Sequence, residues 1–333
     1  MLACVYEDRA SAEPGLRLLL ASLLAHSEGM RVHLHYPGAN DAFAQWLERY
    51  PSVALDKRSV FRERGWNVKP DVLLRALDRG EHNVVWLDSD IIVNRDLRPL
   101  FADLSDDTVV VTEEALWGSP DDGDADRARA WGFAVGRTVP FTLNSCVVRI
   151  TSRHRRLLEE WARCLGSARY VAAQAGPYAA RPKHLVGDQD VLTALLCRAD
   201  FADVPLRILR RGTHILQVFG LKAYSLRERA TTLRRGLPAL IHAQGEKPWL
   251  GTSGTVIERA FADTSPYKAV AWRYRGSLVA QDWLRPSSPL GRALLVLGAG
   301  RAALTGLPIS AAIDLVSAAR RRWRRGRRGR PLP

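Results

Sequence analysis

The stretch Asn83-Val84-Val85-Trp86-Leu87-Asp88-Ser89-Asp90-Ile91-Ile92-Val93-Asn94 decides how this chain is read. Asn83 to Leu87 is apolar and β-branched enough for a buried strand. Two carboxylates, one residue apart, follow where that strand should end. With a side-chain period of two, Asp88 and Asp90 point the same way. Neighbouring carboxylates repel unless a cation lies between them. Hard oxygen ligands suit Mg²⁺ or Mn²⁺, ions that usually also hold substrate phosphates. The plainer alternative is an Asx-turn or a helix cap.

Before this stretch, Leu2 to Tyr6 reads as a strand, Gly15 to His26 as a helix and Arg31 to Tyr36 as a second strand. Pro37-Gly38 turns the chain into a helix over Asp41 to Arg49, capped by Asn40 or Asp41. Lys69-Pro70-Asp71 opens another helix: proline fits its first turn, Asp71 suits the dipole and Gly80 ends it. Strands alternating with helices predict an α/β fold with a mainly parallel sheet flanked by helices. Ligands on such sheets bind beyond the carboxyl ends of the strands, where Asp88 and Asp90 fall.

After it, Thr108 to Thr112 and Thr142 to Ile150 read as strands. Between them the acidic segment Ser119 to Gly132 reads as a mobile loop, either a lid or a surface insertion. Ser152 to Leu165 reads as an amphipathic helix. Gly187 to Cys197 reads as a turn and helix with Asp188 as its cap. Leu206 to Leu209, Ile215 to Phe219 and Ala239 to His242 are short strands.

The composition is that of a globular protein, 47% hydrophobic and 25% charged, so the 333 residues can bury a sizeable core. Eight of the +14 net charges are the arginines between Arg320 and Pro333, which leaves +6 for the rest. The basic character is therefore largely a tail. Cys4, Cys146, Cys164 and Cys197 are widely spaced and read as buried free thiols of a reducing cytosol. Leu16 to Ala25 follows Glu7, Asp8 and Glu13, not a positive leader, and reads as a helix rather than a signal peptide. After Pro289, Arg292, Arg301 and Asp314 break every apolar run short of a membrane span.

Three further segments carry chemistry: GWNVKP (Gly65 to Pro70), GDQD (Gly187 to Asp190) and IHAQGEKPW (Ile241 to Trp249). With the D-S-D stretch, their order resembles GT-A fold glycosyltransferases, closest to glycosyltransferase family 8, over roughly residues 2 to 250. The resemblance implies a Rossmann-like GT-A domain over residues 1–283. Its nucleotide-binding half would cover about 1–115 and its acceptor and donor-sugar half about 116–283. It implies a transferase moving a hexose from a UDP-sugar to an envelope glycan, lipid-linked or other acceptor, with retention of configuration.

A departing diphosphate builds negative charge, which a divalent ion and cationic side chains offset. Asp88, Asp90 and His242 are the metal ligands the resemblance implies, and an imidazole suits Mn²⁺ better than Mg²⁺. Lys247 would meet the diphosphate, and Gly245 would let the backbone approach it. Alone, His242 would be a structural histidine and Lys247 a solvated charge. Pro248 and Trp249 would stiffen the loop. The resemblance sets Asp188 and Gln189 against the donor sugar. An amide is a poor nucleophile, so Gln189 would position or stabilise an oxocarbenium-like state. Tyr6 and Glu7 would meet base and ribose, Ser89 the nucleotide sugar, and Lys69 the nucleotide or phosphates; a helix-start surface lysine is the alternative for Lys69. Asn144 lies in N-S-C where the family pattern is closer to N-x-G, so Cys146 is expected to narrow the pocket.

Residues 284–333 form a helical, basic extension. Ile309, Ile313, Val316 and Trp323 recur at helical spacing beside Arg320 to Arg322, which suits a helix lying on anionic lipid. A disordered tail or nucleic-acid binding is the alternative, with nucleic acid disfavoured. The expected location is cytoplasmic, peripheral on the inner face of the membrane. Competing readings are a hydrolase using D-x-D as nucleophile and acid, which would place the motif on its first strand, and a catalytically degenerate sugar-nucleotide scaffold.

Overall fold

In the computed structural model, described residues are 1–114, 125–218, 224–245, 247–251, 254–298, 301 and 303–328. The strands in chain order are β1 (Leu2–Tyr6), β2 (Arg31–His35), β3 (Val53–Asp56), β4 (Asn83–Leu87), β5 (Ile91–Val93), β6 (Val109–Glu113), β7 (Leu143–Thr151), β8 (Leu206–Leu209), β9 (Ile215–Gln217) and β10 (Leu240–His242). Seven form one sheet in the order β3-β2-β1-β4-β7-β6-β8, and a small second sheet has the order β5-β10-β9. β1 pairs in parallel with β2 and β4, while β7 runs antiparallel to both its neighbours. The sheet is thus mixed and mainly parallel, as the alternating sequence predicts.

Both faces of the large sheet are covered, so its strands read as near-continuous apolar runs. Along β1, Leu2, Cys4 and Tyr6 pack with Val72, Leu73, Leu158 and Leu192, from three helices. Ala3 and Val5 pack on the opposite face with Leu16, Leu20 and Leu23 of the helix Glu13–His26. Each fully buried aliphatic side chain contributes about 1.5–3 kcal/mol. A third cluster ties the small sheet to the C-terminal third through Ile92, Ile241, Tyr267 and Val270. All four cysteines are buried free thiols.

Local signals act as the sequence suggests. Asn40 caps Asp41–Leu47 by accepting from the Phe43 amide, and Gly80 (φ +87°) follows Lys69–Asp78. Two expectations are corrected. In the segment expected to be a loop, Asp126–Trp131 is helical, with residues 119–124 outside the described ones. Asp188 is the first helical residue rather than the cap: Gly187 caps, and its amide donates to Asp190 Oδ2 at 3.0 Å.

Candidate active site

β1 and β4 are parallel neighbours, so their carboxyl ends deliver Glu7 and Asp88 to one edge. Antiparallel β7 starts at that edge and supplies Asn144 and Ser145. Ser89 Oγ donates to Glu7 Oε2 at 2.6 Å, joining the two strand ends. Asp88 to Asp90 is not a strand continuation. It is a turn closed by the Ile91 amide on the Asp88 carbonyl at 3.2 Å, so turn geometry rather than strand alternation brings the carboxylates together.

β10 then pairs antiparallel with β5, setting His242 opposite Ile91 and therefore beside Asp90. His242 Nε2 lies 3.2 Å from Asp90 Oδ1 and 3.9 Å from Asp88 Oδ2. Beyond it Gly245 takes φ +82°, a conformation open to glycine, and the chain turns back. Lys247 Nζ thereby reaches the Asp90 carboxylate and the Ala243 carbonyl. Trp249 packs against Tyr267 and Trp283, and its indole donates to the Ser11 carbonyl at 2.7 Å, so it anchors the loop.

Lys69 opens its helix buried, with Nζ 2.8 Å from Ser145 Oγ, 3.1 Å from Asp88 Oδ1 and 3.2 Å from Asp188 Oδ2. It is no surface lysine. Tyr6 donates to Asp8, and Glu7 holds Arg9 with both carboxylate oxygens. The Trp161 indole donates to the Asp188 carbonyl at 3.0 Å, and Arg127 pairs with Asp190 at 2.7 Å.

These residues surround a cavity of about 860 Å³. Tyr6, Glu7, Lys69, Asp88, Ser89, Asp90, Asn144, Asp188, Gln189, His242, Gly245 and Lys247 all line it, so every site residue predicted from sequence is brought together. Cys146 is not part of the wall: it is buried beneath it, with Sγ 3.3 Å from Thr112 Oγ1, and does not narrow the pocket. Sequence reading missed Gln244, Trp66 and Tyr178 of the wall, and the buried Glu114 behind it.

Charge in the site is strongly coupled. Burial alone would depress the His242 imidazole, but Asp90 lifts it to about 10. Burial would raise Asp90, yet Lys247 and His242 hold it well below the usual carboxylate range. Asp190 is pushed up to about 6 by burial, against the pull of Arg127.

The ligand atoms of Asp88, Asp90 and His242 lie within 4.8 Å of one another. His242 Nδ1 is buried with no hydrogen-bond partner among the described residues, and Asp90 Oδ1 faces the imidazole. Two carboxylates and an imidazole with an unpartnered ring nitrogen fit a divalent ion. His33, His35 and Asp56 also cluster, but there the Arg79 guanidinium lies 2.8 Å from His33 Nε2 and 3.5 Å from Asp56. Arg79 there meets both a ring nitrogen and the carboxylate, whereas Lys247 and Lys69 meet only the carboxylates of the first cluster.

No protein-family model matches the chain, and no curated protein matches it. Solved structures do. One is WbbM, a bifunctional glycosyltransferase in its apo form, at TM-score 0.50 and 15% identity, covering 75% of this chain but only 46% of WbbM. Another is the galactosyltransferase LgtC in complex with donor and acceptor sugar analogs, at TM-score 0.50 and 16% identity, covering 84% of this chain and 100% of LgtC. The class is thereby set: the chain has the GT-A glycosyltransferase fold.

Proposed function

We propose that this chain is a metal-dependent glycosyltransferase that moves a hexose from a UDP-sugar to an envelope glycan, lipid-linked or other acceptor. The observation that carries the reading is the meeting of Asp88, Asp90, His242 and Lys247 with Asp188 and Gln189 around one cavity.

Asp88, Asp90 and His242 would hold the divalent ion, Mn²⁺ being favoured by the imidazole. When bound, such an ion offsets the charge that grows on a leaving diphosphate. Lys247 adds a cation on the same side, and Gly245 lets the backbone approach the phosphates. Tyr6, Glu7 and Ser89 sit at the strand ends where a nucleoside would lie. Lys69 holds Asp88 and Asp188 in place. Gln189 supports an oxocarbenium-like state by its amide dipole. Front-face attack by the acceptor hydroxyl, its proton passing to the leaving phosphate, gives retention without a protein nucleophile.

Residues 284–333 support a membrane-surface location on the cytoplasmic side. The helix Leu307–Arg328 is anchored near its start: the Leu226 amide donates to Asp314 Oδ2 at 3.0 Å, and buried Arg229 donates to Ser310 Oγ at 2.9 Å. Ile313 is half-buried on this anchored side, so the lipid-facing row shifts from the one read in the sequence. Pro308, Ala312, Leu315, Val316 and Ala319 are exposed at helical spacing and run toward the arginine-rich end. The side chains of Ile309 and Trp323 lie outside the described ones. No described helix is long and apolar enough to cross a membrane.

The test is UDP release from a panel of UDP-hexoses with methyl glycosides as acceptors, with and without Mn²⁺. The reading expects metal-dependent release that Asp90→Ala abolishes, and NMR of the product showing the donor's anomeric configuration. Folded protein inert toward UDP-, GDP-, ADP- and CMP-sugars would contradict it, and an inverted product would contradict the front-face path.

A further inference from the structure

Glu114 follows β6 and is buried, yet it belongs to none of the motifs. Its carboxylate accepts from three side-chain amides, each from a different part of the chain. Asn144 Nδ2 lies 2.6 Å and Gln189 Nε2 2.8 Å from Oε2, and Gln244 Nε2 lies 2.9 and 3.1 Å from the two oxygens. All three amides line the cavity.

An amide and its flipped form have nearly the same shape, so packing alone does not choose between them. A carboxylate without a proton only accepts. Each amide must therefore turn its NH₂ to Glu114 and its carbonyl away. The Asn144 carbonyl accepts from the Cys146 amide at 2.8 Å, and the Gln189 carbonyl from Asn144 Nδ2 at 2.9 Å. The Gln244 carbonyl oxygen is buried from solvent and has no hydrogen-bond partner among the described residues.

We infer that Glu114 is a positioning residue that fixes the orientation of the Gln189 amide at the cavity wall, its NH₂ held on Glu114 and its carbonyl on the Asn144 side. It sets Gln189 to present oxygen rather than NH₂ to the electron-poor anomeric centre, while Gln244 braces Glu114 from the far side. A flipped Gln189 would set a partial positive charge where positive charge grows, which raises the barrier. This inference rests on the donor-site reading proposed above.

The isosteric variant Glu114→Gln tests it, because a hub that can donate as well as accept no longer dictates the orientation of three amides. The expected result has three parts. In its crystal structure the Gln189 amide is turned or occupies two orientations. With the UDP-hexose that supports turnover, kcat falls about tenfold or more while KM for donor and the UDP–Mn²⁺ affinity stay within about twofold. In a Gln189→Ala background the same substitution loses most of its effect on kcat, since both act through one group. An unchanged Gln189 amide, or an equal kcat penalty in both backgrounds, would overturn the inference. Wild-type protein that binds no UDP would instead defeat the donor-site reading, and the crystal comparison would still decide the role of Glu114. Should Glu114→Gln not fold, Glu114→Asp withdraws the carboxylate by one methylene and is read by the same measurements.

Discussion

Lys69 Nζ and Asp188 Oδ2 meet as a buried ion pair at 3.2 Å and tie the start of one helix to the start of another. Burial alone would lower the Lys69 ammonium, but Asp188 and Asp88 together lift it above the ordinary lysine value. The pair locks the Asp88 turn and the Gln189 helix into one rigid frame.

Removing the cation should therefore be costly. Lys69→Met leaves Asp188 buried without its countercharge, and should lose about 3 kcal/mol or more of stability in urea unfolding. Adding Asp188→Asn should recover most of that loss. A single variant as stable as wild type would show that the pair is not the clamp described.

The loop carrying Gly245 and Lys247 leans on the first helix. A Cβ on Gly15 would overlap the Trp249 ring, which holds that loop through Ser11. Gly15→Ala should displace Trp249 and weaken UDP binding several-fold more than it weakens the fold, whereas Gly29→Ala, with open space but a positive φ, should affect stability alone. Equal UDP affinity in both would contradict the coupling.

Acid should destabilise the protein partly through His35. Burial holds its imidazole down to about 3, with His33, Arg75 and Arg79 adding to the effect and Asp56 opposing it. The native state keeps it neutral while the unfolded chain protonates near 6.5, so the unfolded state binds more protons in that window. Its contribution is fully present above pH 6.5 and is lost as pH falls toward 3, by at most about 5 kcal/mol. His35→Gln should flatten the stability–pH slope between pH 6 and about 4 relative to wild type. An unchanged slope would contradict it.

The exposed row on the last helix should matter beyond charge. Full-length protein should co-sediment with phosphatidylglycerol vesicles and not with phosphatidylcholine ones. Leu315→Glu with Val316→Glu should weaken that binding about tenfold with every arginine retained. Undiminished binding by this variant would leave electrostatics of the tail as the whole effect.

The sequence made much of the site legible because its parts are short motifs on regular elements. Asp88, Asp90, Asp188, Gln189, His242 and Lys247 each sit at an element end, where pattern reading places them. The β7 direction was not legible, since a buried apolar run looks alike either way. Glu114 was hidden for a different reason. Glu113 and Glu114 are identical residues side by side, and only pairing of β6 with β7 and β8 separates them. Glu113 meets the half-exposed Arg210, while Glu114 turns inward to the amides. Lys69 reads as a helix-start charge until its helix packs below the Asp88 turn.

On the function proposed above, Asp88, Asp90 and His242 form one metal-dependent site for a nucleoside diphosphate. Titration calorimetry of UDP, with and without Mn²⁺, on wild type and on Asp88→Ala/Asp90→Ala tests it most directly. Binding should require both the metal and the aspartates. UDP binding that survives loss of either, or folded wild-type protein that binds no nucleoside diphosphate with Mn²⁺ present, would contradict it.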